Sequence, residues 1–490
     1  MQSNSVTPPQ KPETIVALLP SVGKPNKPRP SPSSAVDLSE ASPEILYGEA
    51  CADDETLTSD GGKMNRWMGE HWAYQAESVM VKHALGWLAE HARKRAKAET
   101  ATSCARTAVH MVRSLPAPPI GTLVPVKGAW LVLKDGQWFA EQPNMEIGVC
   151  HQVKTSTEFA LGAYTPKPVP ANSLFGQFLV KSLPDSQVRE ALQEYIGYTL
   201  CDSVAAQKAQ MWIGSGSNGK SVMMNVARAI HGRAVSMRLD KLNGFDLPVI
   251  VGASLVVVDE MPKSRINQTT LKTLISGGAT QVEPKYEKPF TYQPTAKWIV
   301  SGNHLPDLVD HSHGWWRRFE IIEWNTQLED ADVIPDLDKL IIKNELHVVV
   351  DWALEGLRRV VARNYKLAVP QAMTQAMKSA HAASNNVQDW ADQRGVQVKV
   401  GGATDKVGLY GNYVKHCKGA GERPLAANEF FKRLKVIFPR AAETKKVVGS
   451  GENKRRARCL DLIIGEALDD LDEVDFDPFA DSIAKALTSS

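Results

Sequence analysis

The stretch Gly214-Ser215-Gly216-Ser217-Asn218-Gly219-Lys220-Ser221 constrains this chain more than any other part of it. It fits G-x-x-x-x-G-K-[ST] at every fixed position. An apolar run, Met211-Trp212-Ile213, precedes it and a helix-like run, Val222 to Ile230, follows. Between a strand and a helix, such a loop cradles phosphate. Its glycines let backbone N–H groups turn inward, the lysine reaches the β- and γ-oxygens, and the final serine ligates Mg²⁺. The helix behind it adds the positive end of its dipole. ATP is therefore the expected ligand of residues 214–221, with Mg²⁺ at Ser221.

Ala253-Ser254-Leu255-Val256-Val257-Val258-Asp259-Glu260 is a β-branched apolar run ending in two acids. A run this apolar reads as a strand buried on both faces of a parallel sheet, and ligands of such sheets bind beyond the strands' C-terminal ends. Asp259 is expected in the Mg²⁺ shell beside Ser221, and Glu260 is expected to polarise the attacking water. A further strand, Lys297-Trp298-Ile299-Val300-Ser301-Gly302-Asn303, ends in an amide that can bond both the γ-phosphate and that water. Next comes Gly314-Trp315-Trp316-Arg317-Arg318-Phe319. An arginine pair between aromatics suits a finger that reaches a neighbouring subunit's phosphate; surface ion pairs are the alternative.

At 490 residues the chain has room for about two to four domains. Its net charge of +2 averages two opposed parts. Residues 466–490 hold eight acids (Glu466, Asp469, Asp470, Asp472, Glu473, Asp475, Asp477, Asp481) against Lys485, leaving the rest near +9. Such modest basicity suits a nucleic-acid binder with local patches. The six cysteines, at 51, 104, 150, 201, 417 and 459, form no C-x₂₋₄-C half-site, which argues against a zinc ribbon and for reduced thiols in a cytoplasm. No apolar N-terminal segment or 18-residue apolar run is present, so neither a signal peptide nor a membrane partner is expected.

The expected organisation is as follows. Residues 1–60, rich in Pro and Ser, read as a disordered arm containing one apolar spot, Ile15 to Leu19. Residues 61–200 read as a helical to mixed domain, with helical spacing from Val79 to His91 and short strands around a Lys134-Asp135-Gly136 turn. Residues 201–365 read as the ATPase, closed by a helical lid after Ile334, and 366–400 as a connector. Residues 401–465 read as a winged helix: two helices, then a basic hairpin. Lys432 and Arg433 would face DNA from the second helix, and Lys454, Arg455 and Arg456 from the wing. Protein docking is the alternative for this module. The acidic tail, 466–490, reads as disordered and partner-binding.

GSGSNGKS, VVVDE, KWIVSGN and WWRRF, in that order, resemble the superfamily 3 helicases. More closely they resemble the phage and plasmid primase–helicase family related to poxvirus D5-type proteins, over roughly residues 60 to 465. Flanking similarity includes Arg66 to Trp72, Leu183 to Leu200, Leu409 to Tyr413 and Glu429 to Leu434. The resemblance implies an α/β fold: a P-loop, AAA+-like core with a helical N-terminal region and a C-terminal winged helix. It implies a homo-oligomer, a six-membered ring with ATP between neighbours, translocating 3′ to 5′ on single-stranded and forked DNA. Arg318 would act in trans, with Arg317 as the alternative. Between Asp259 and Asn303 the family carries a pore hairpin; here Lys285, Tyr286 and Lys288 fit its tip, cations for phosphate and a ring for a base. The family's primase domain finds no counterpart, so a separate primase or other replication protein is an expected partner of the arm or tail. A phage, phage satellite or mobile element is the implied setting. An origin-binding initiator that remodels DNA without processive unwinding is the competing reading.

Overall fold

A computed structural model describes residues 42–262, 266–284, 289–304, 313–329, 333–384, 386–399, 401–402, 404–420, 424–448 and 455–465. At its centre lies a five-stranded sheet whose neighbours all pair in parallel. From edge to edge the strands are Phe319–Glu323, Ala209–Ile213, Lys297–Gly302, Leu255–Val258 and Ala234–Ser236. Leu255–Val258 and Lys297–Gly302 are buried throughout, as their unbroken apolar runs require. The strand leading to Asn303 thus lies between the phosphate-loop strand and the strand leading to Asp259. One face of the sheet packs on Met223, Val226 and Ala227 of the helix Lys220–Ala229. The other packs on Leu271, Leu274 and Trp315.

The region before the sheet is mixed rather than helical. Residues 42–60, expected in the disordered arm, form the helix Pro43–Ala52 and the strand Leu57–Asp60, with Tyr47 and Cys51 buried. The proline misleads there: it occupies the first helical turn, where no N–H is needed. Arg66 to Trp72, expected in a helical region, contributes to the antiparallel strands Lys63–Trp67 and Trp72–Gln75. The helix Glu77–His91 follows. Leu123–Val126, Ala129–Lys134, Gln137–Glu141 and Gly162–Tyr164 then form a second antiparallel sheet. Asp135 (φ 48°) and Gly136 (φ 80°) make the tight turn that their sequence predicts.

The expected boundary at residue 200 runs through a single core. Helices Leu174–Ser182 and Ser186–Thr199 share that core with Trp212, Met223 and Trp324. Against them lies Leu346–Ala362, which packs on the Ser186–Thr199 helix. Two glycines permit this contact: a Cβ on Gly197 would meet the Ala353 carbonyl oxygen at 2.3 Å, and one on Gly356 the Gln193 carbonyl oxygen at 2.2 Å. Glu194, 3% exposed, anchors the pair by accepting bonds from Arg359 Nε (3.1 Å), Arg363 and the Ala368 N–H (2.9 Å).

The C-terminal module begins earlier than expected. Residues 386–393, assigned to the connector, form a helix whose Val387 and Trp390 enter the module's core. There Tyr413 stacks on Phe430 at 4.5 Å. The helices Lys406–Gly419 and Ala427–Ile437 follow, then the hairpin Glu443–Val448 with Arg455–Leu460, extended by Thr404–Asp405. The helix Gln371–Ser384 is no bare connector either, because Ala376 and Ala380 pack in the core that includes Ile321 of the edge strand.

Burial makes one carboxyl pH-sensitive. Glu320, 2% exposed, has its pKa pushed up to about 7, chiefly by desolvation, although Lys208 Nζ lies 3.6 Å away. Its unfolded-state value is near 4.5, so the folded state binds a proton more tightly between those values. Stability should fall as pH rises from about 4.5 to 7, by roughly 2–3 kcal/mol. Glu320→Gln should flatten that slope in denaturant melts at pH 5 and pH 8. An unchanged slope would show that Glu320 is not the source.

Candidate nucleotide-binding cleft

A cleft of about 600 Å³ opens at the C-terminal end of the sheet. Residues 216–222, Asp259, Glu260, Gly302 and Asn303 line it, with Val333, Ile334 and Leu337 on the far wall. Three strands thus bring the expected phosphate loop, acid pair and amide to one space. The expected lid helps form that wall, but its long helix, Leu346–Ala362, packs away on residues 186–199.

The loop's shape follows from its residues. Gly216 (φ 109°), Ser217 (φ 48°) and Gly219 (φ 88°) take left-handed conformations that turn the backbone inward. Gly214 and Ser215 lead into that turn. Asn218 is a brace: its Nδ2 donates to the Trp324 carbonyl at 2.7 Å, and its Oδ1 lies 3.3 Å from Lys220 Nζ. A Cβ on Gly214 would meet that carbonyl at 2.4 Å. On the other side, a Cβ on Gly219 would reach Ser182 Oγ at 2.4 Å and Phe178 at 2.7 Å. The upstream helix therefore supports the loop directly. Glu345 in turn fixes that helix by accepting from the Leu174 and Phe175 N–H groups, both at 2.9 Å.

Lys220 is 7% exposed, and among the described residues its ammonium donates only to neutral oxygens, those of Gly214 and Asn218. Burial pulls its pKa below the usual lysine value. A buried cation with no carboxylate against it is costly, and a bound polyphosphate would supply the missing charge. Ser221 and Asp259 offer the hard oxygen donors that Mg²⁺ takes, with phosphates and waters completing its shell. Among the described residues no cluster of three or more His, Cys, Asp or Glu could hold a metal alone. The residues therefore fit a metal that arrives with nucleotide.

One contact was missed by sequence reasoning. Arg228 Nη2 donates to Asp259 Oδ1 at 2.6 Å and to Ser236 Oγ at 2.9 Å. It lies seven residues beyond Ser221 on the phosphate-loop helix, hence two turns on along the same face. That spacing was the available signal. Beyond Asp259 and Glu260 a second cavity, of about 520 Å³, continues past Arg238 and Asp240.

The arginine pair lies elsewhere. The Ala209 N–H donates to the Arg318 carbonyl at 2.7 Å, which fixes the pair at the opposite end of the sheet from Gly214. The five-residue strand between them spans about 16 Å. Arg318, preferred from sequence, is tied down: its Nε donates to Ser276 Oγ at 2.8 Å and its Nη1 to the Gly314 carbonyl. Arg317 is exposed and has no side-chain partner among the described residues.

Strands Thr280–Val282 and Phe290–Tyr292 form the expected hairpin. Lys285, Tyr286 and Lys288, expected at its tip, lie outside the described residues, as does Lys454. Lys63 of the N-terminal sheet sits over the Phe290 and Tyr292 rings at 4.3 and 4.5 Å. On the C-terminal module Lys432 is exposed, whereas Arg433 turns inward, with Nε 3.6 Å from Glu429. Arg455 begins the second hairpin strand and Arg456 is exposed. No helix of the described residues is long and apolar enough to cross a membrane.

Residues 212–318 match a family described as of unknown function, DUF5906. Among curated proteins, 156 residues are 26% identical to "Putative helicase L207/L206" of Acanthamoeba polyphaga mimivirus, covering 30% of this chain and 16% of that protein. Another 265-residue alignment, 23% identical, is to "Putative helicase 184R" of Invertebrate iridescent virus 6, covering 44% and 27%. The chain therefore spans only about a quarter or less of the length of these viral relatives. Among solved structures, the apo NrS-1 C-terminal region (305–718) matches with a TM-score of 0.47 at 13% identity, over 87% of this chain and 100% of that one.

Proposed function

We propose that this chain is an ATP-dependent DNA helicase motor of the superfamily 3 type, with an AAA+-like core. The convergence of phosphate loop, Asp259, Glu260 and Asn303 in one cleft carries this reading. The distant similarity to viral proteins named helicases supports it. Lys220 and the loop N–H groups hold the β- and γ-phosphates. Ser221 and Asp259 would hold Mg²⁺, which when bound would supply positive charge to the transferring phosphoryl group. Glu260 orients the attacking water and accepts its proton, and Asn303 bonds both that water and the γ-phosphate. The C-terminal module acts as a winged helix, with Lys432 and Arg456 towards DNA. The 280–292 hairpin carries Lys285, Tyr286 and Lys288 to the translocating strand.

The test is unwinding of a forked duplex with a single 3′ or 5′ tail, with Lys220→Ala as the control. Unwinding from the 3′ tail only, lost in the control, supports a 3′-to-5′ motor. Hydrolysis without unwinding on either fork would leave the initiator reading.

The distance between the arginine pair and the phosphate loop favours a finger that acts on a neighbour's nucleotide, and with it the ring. Arg317, being exposed, is the finger, and Arg318 braces the turn that presents it. Arg317→Ala should lose most hydrolysis, by about 10²-fold or more. Activity should return when Arg317→Ala and Glu260→Gln subunits are mixed, since some interfaces then combine an intact Glu260 with an intact Arg317. Mixtures as inactive as their parts would mean that Arg317 is not the finger.

A further inference from the structure

The acidic segment 466–490 has no part in the function above, yet the chain enters it from the basic module. The Gly465 N–H donates to the Arg394 carbonyl at 2.9 Å, so the segment leaves from the module's own surface. On the module's hairpin, Lys445 pairs across from Arg458 and Val447 from Arg456, which puts all four side chains on one face, and all are exposed. On the helix Ala427–Ile437, Lys432, Lys435 and Val436 share an exposed stripe at i, i+3 and i+4. Lys435, Lys445 and Arg456 form no ion pair with any described residue.

The apolar members decide the chemistry of the partner. Val436 is 81% exposed and Val447 61% exposed, each set among cations. A phosphate backbone gains little from an exposed valine, whereas an acidic peptide with apolar anchors matches both. Residues 466–490 have that pattern: Leu468, Leu471 and Val474 recur every third position with acid pairs between, followed by Asp475-Phe476-Asp477-Pro478-Phe479. Reach is sufficient. For 25 residues, random-coil statistics give a root-mean-square span of about 28 Å. A module of about 80 residues has a radius of gyration of about 12 Å.

We propose that residues 466–490 dock on the exposed Lys445–Val447–Arg456–Arg458 face and on the exposed helix stripe, and compete there with DNA. The competition rests on the DNA-binding reading of the module; the docking does not. Tethering makes a weak contact effective. At an effective concentration of about 1 mM, an isolated-segment Kd of about 0.1 mM suffices for tenfold competition.

Two measurements on the full chain test this, using a variant with the eight acids of 466–490 replaced by Asn or Gln. Fluorescence anisotropy should show the variant binding a labelled duplex about tenfold more tightly than wild type at low salt, the difference shrinking as salt rises. Separately, a labelled peptide of residues 466–490 should bind the variant with a Kd near 0.1 mM. Lys435→Glu with Arg456→Glu should abolish this binding. Leu471→Ser with Phe476→Ser in the peptide should weaken it at unchanged charge, which bulk electrostatics would not produce. Absence of peptide binding overturns the proposal, as does binding indifferent to both changes. Peptide binding that follows these changes, with DNA binding insensitive to Lys435→Glu and Arg456→Glu, overturns only the competition and removes the DNA reading of the module.

Discussion

Lys220→Ala is expected to abolish measurable nucleotide binding while leaving the fold intact. Hydrogen bonds to charged groups contribute about 1.5–3 kcal/mol each, so losing those from Lys220 should weaken binding at least 100-fold. The unliganded variant should melt no earlier than wild type, because the substitution removes a buried ammonium that faces only neutral oxygens. Wild type should gain thermal stability with MgATP, as any ligand selective for the folded state requires, and the variant should not. A variant that melts early without nucleotide would instead show Lys220 to be structural. Glu260→Gln separates the chemical step from binding: the MgATP shift should persist while turnover falls about 10²- to 10⁴-fold.

Gly356→Ala is the substitution expected to cost most stability. Its new Cβ would lie 2.2 Å from the Gln193 carbonyl oxygen and 2.6 Å from the carbonyl carbon. Backbone cannot rotate aside as a side chain can, so the helices Leu346–Ala362 and Ser186–Thr199 must separate. Separation also loosens Glu194 from Arg359, leaving a buried carboxylate short of partners. About 3 kcal/mol or more should be lost, read as a lowered midpoint in a denaturant melt. Gly411→Ala is the matched control: it lies in the helix Lys406–Gly419 with open space at the Cβ position. It should stabilise by about 0.5–1 kcal/mol. Equal effects at the two positions would dismiss the close-contact explanation.

What the sequence made legible was local. The phosphate loop, the apolar runs into Asp259 and Asn303, and the turn at Asp135-Gly136 each depend on neighbouring residues, and each lies where its pattern predicts. What escaped depends on partners distant in the chain. Glu194 reads as one more polar residue on a helix until Arg359 and Arg363, over 160 positions later, fold against it. Arg318 has an aromatic neighbour legible in the sequence, but its bond to Ser276, 42 positions earlier, is not. The helix Pro43–Ala52 was hidden by Pro/Ser-rich surroundings, although Tyr47 and Cys51 give it a buried side. Arg228 was within reach of helical periodicity, but nothing in the chain announced that Asp259 would face it.

The support that Ser182 and Phe178 give Gly219 bears on how the proposed ATPase could be transplanted. A fragment cut at residue 201 would keep every sequence motif and lose the wall behind its phosphate loop, along with Glu194. The smallest exchangeable unit is therefore set by helix contacts rather than by motif borders. It reaches back to Ser173, whose hydroxyl meets Glu345 at 2.7 Å, and forward past Ala368, whose N–H meets Glu194. Chimeras joined at the motif edge should be inert despite intact signatures, whereas those joined upstream of Ser173 should carry nucleotide binding with them.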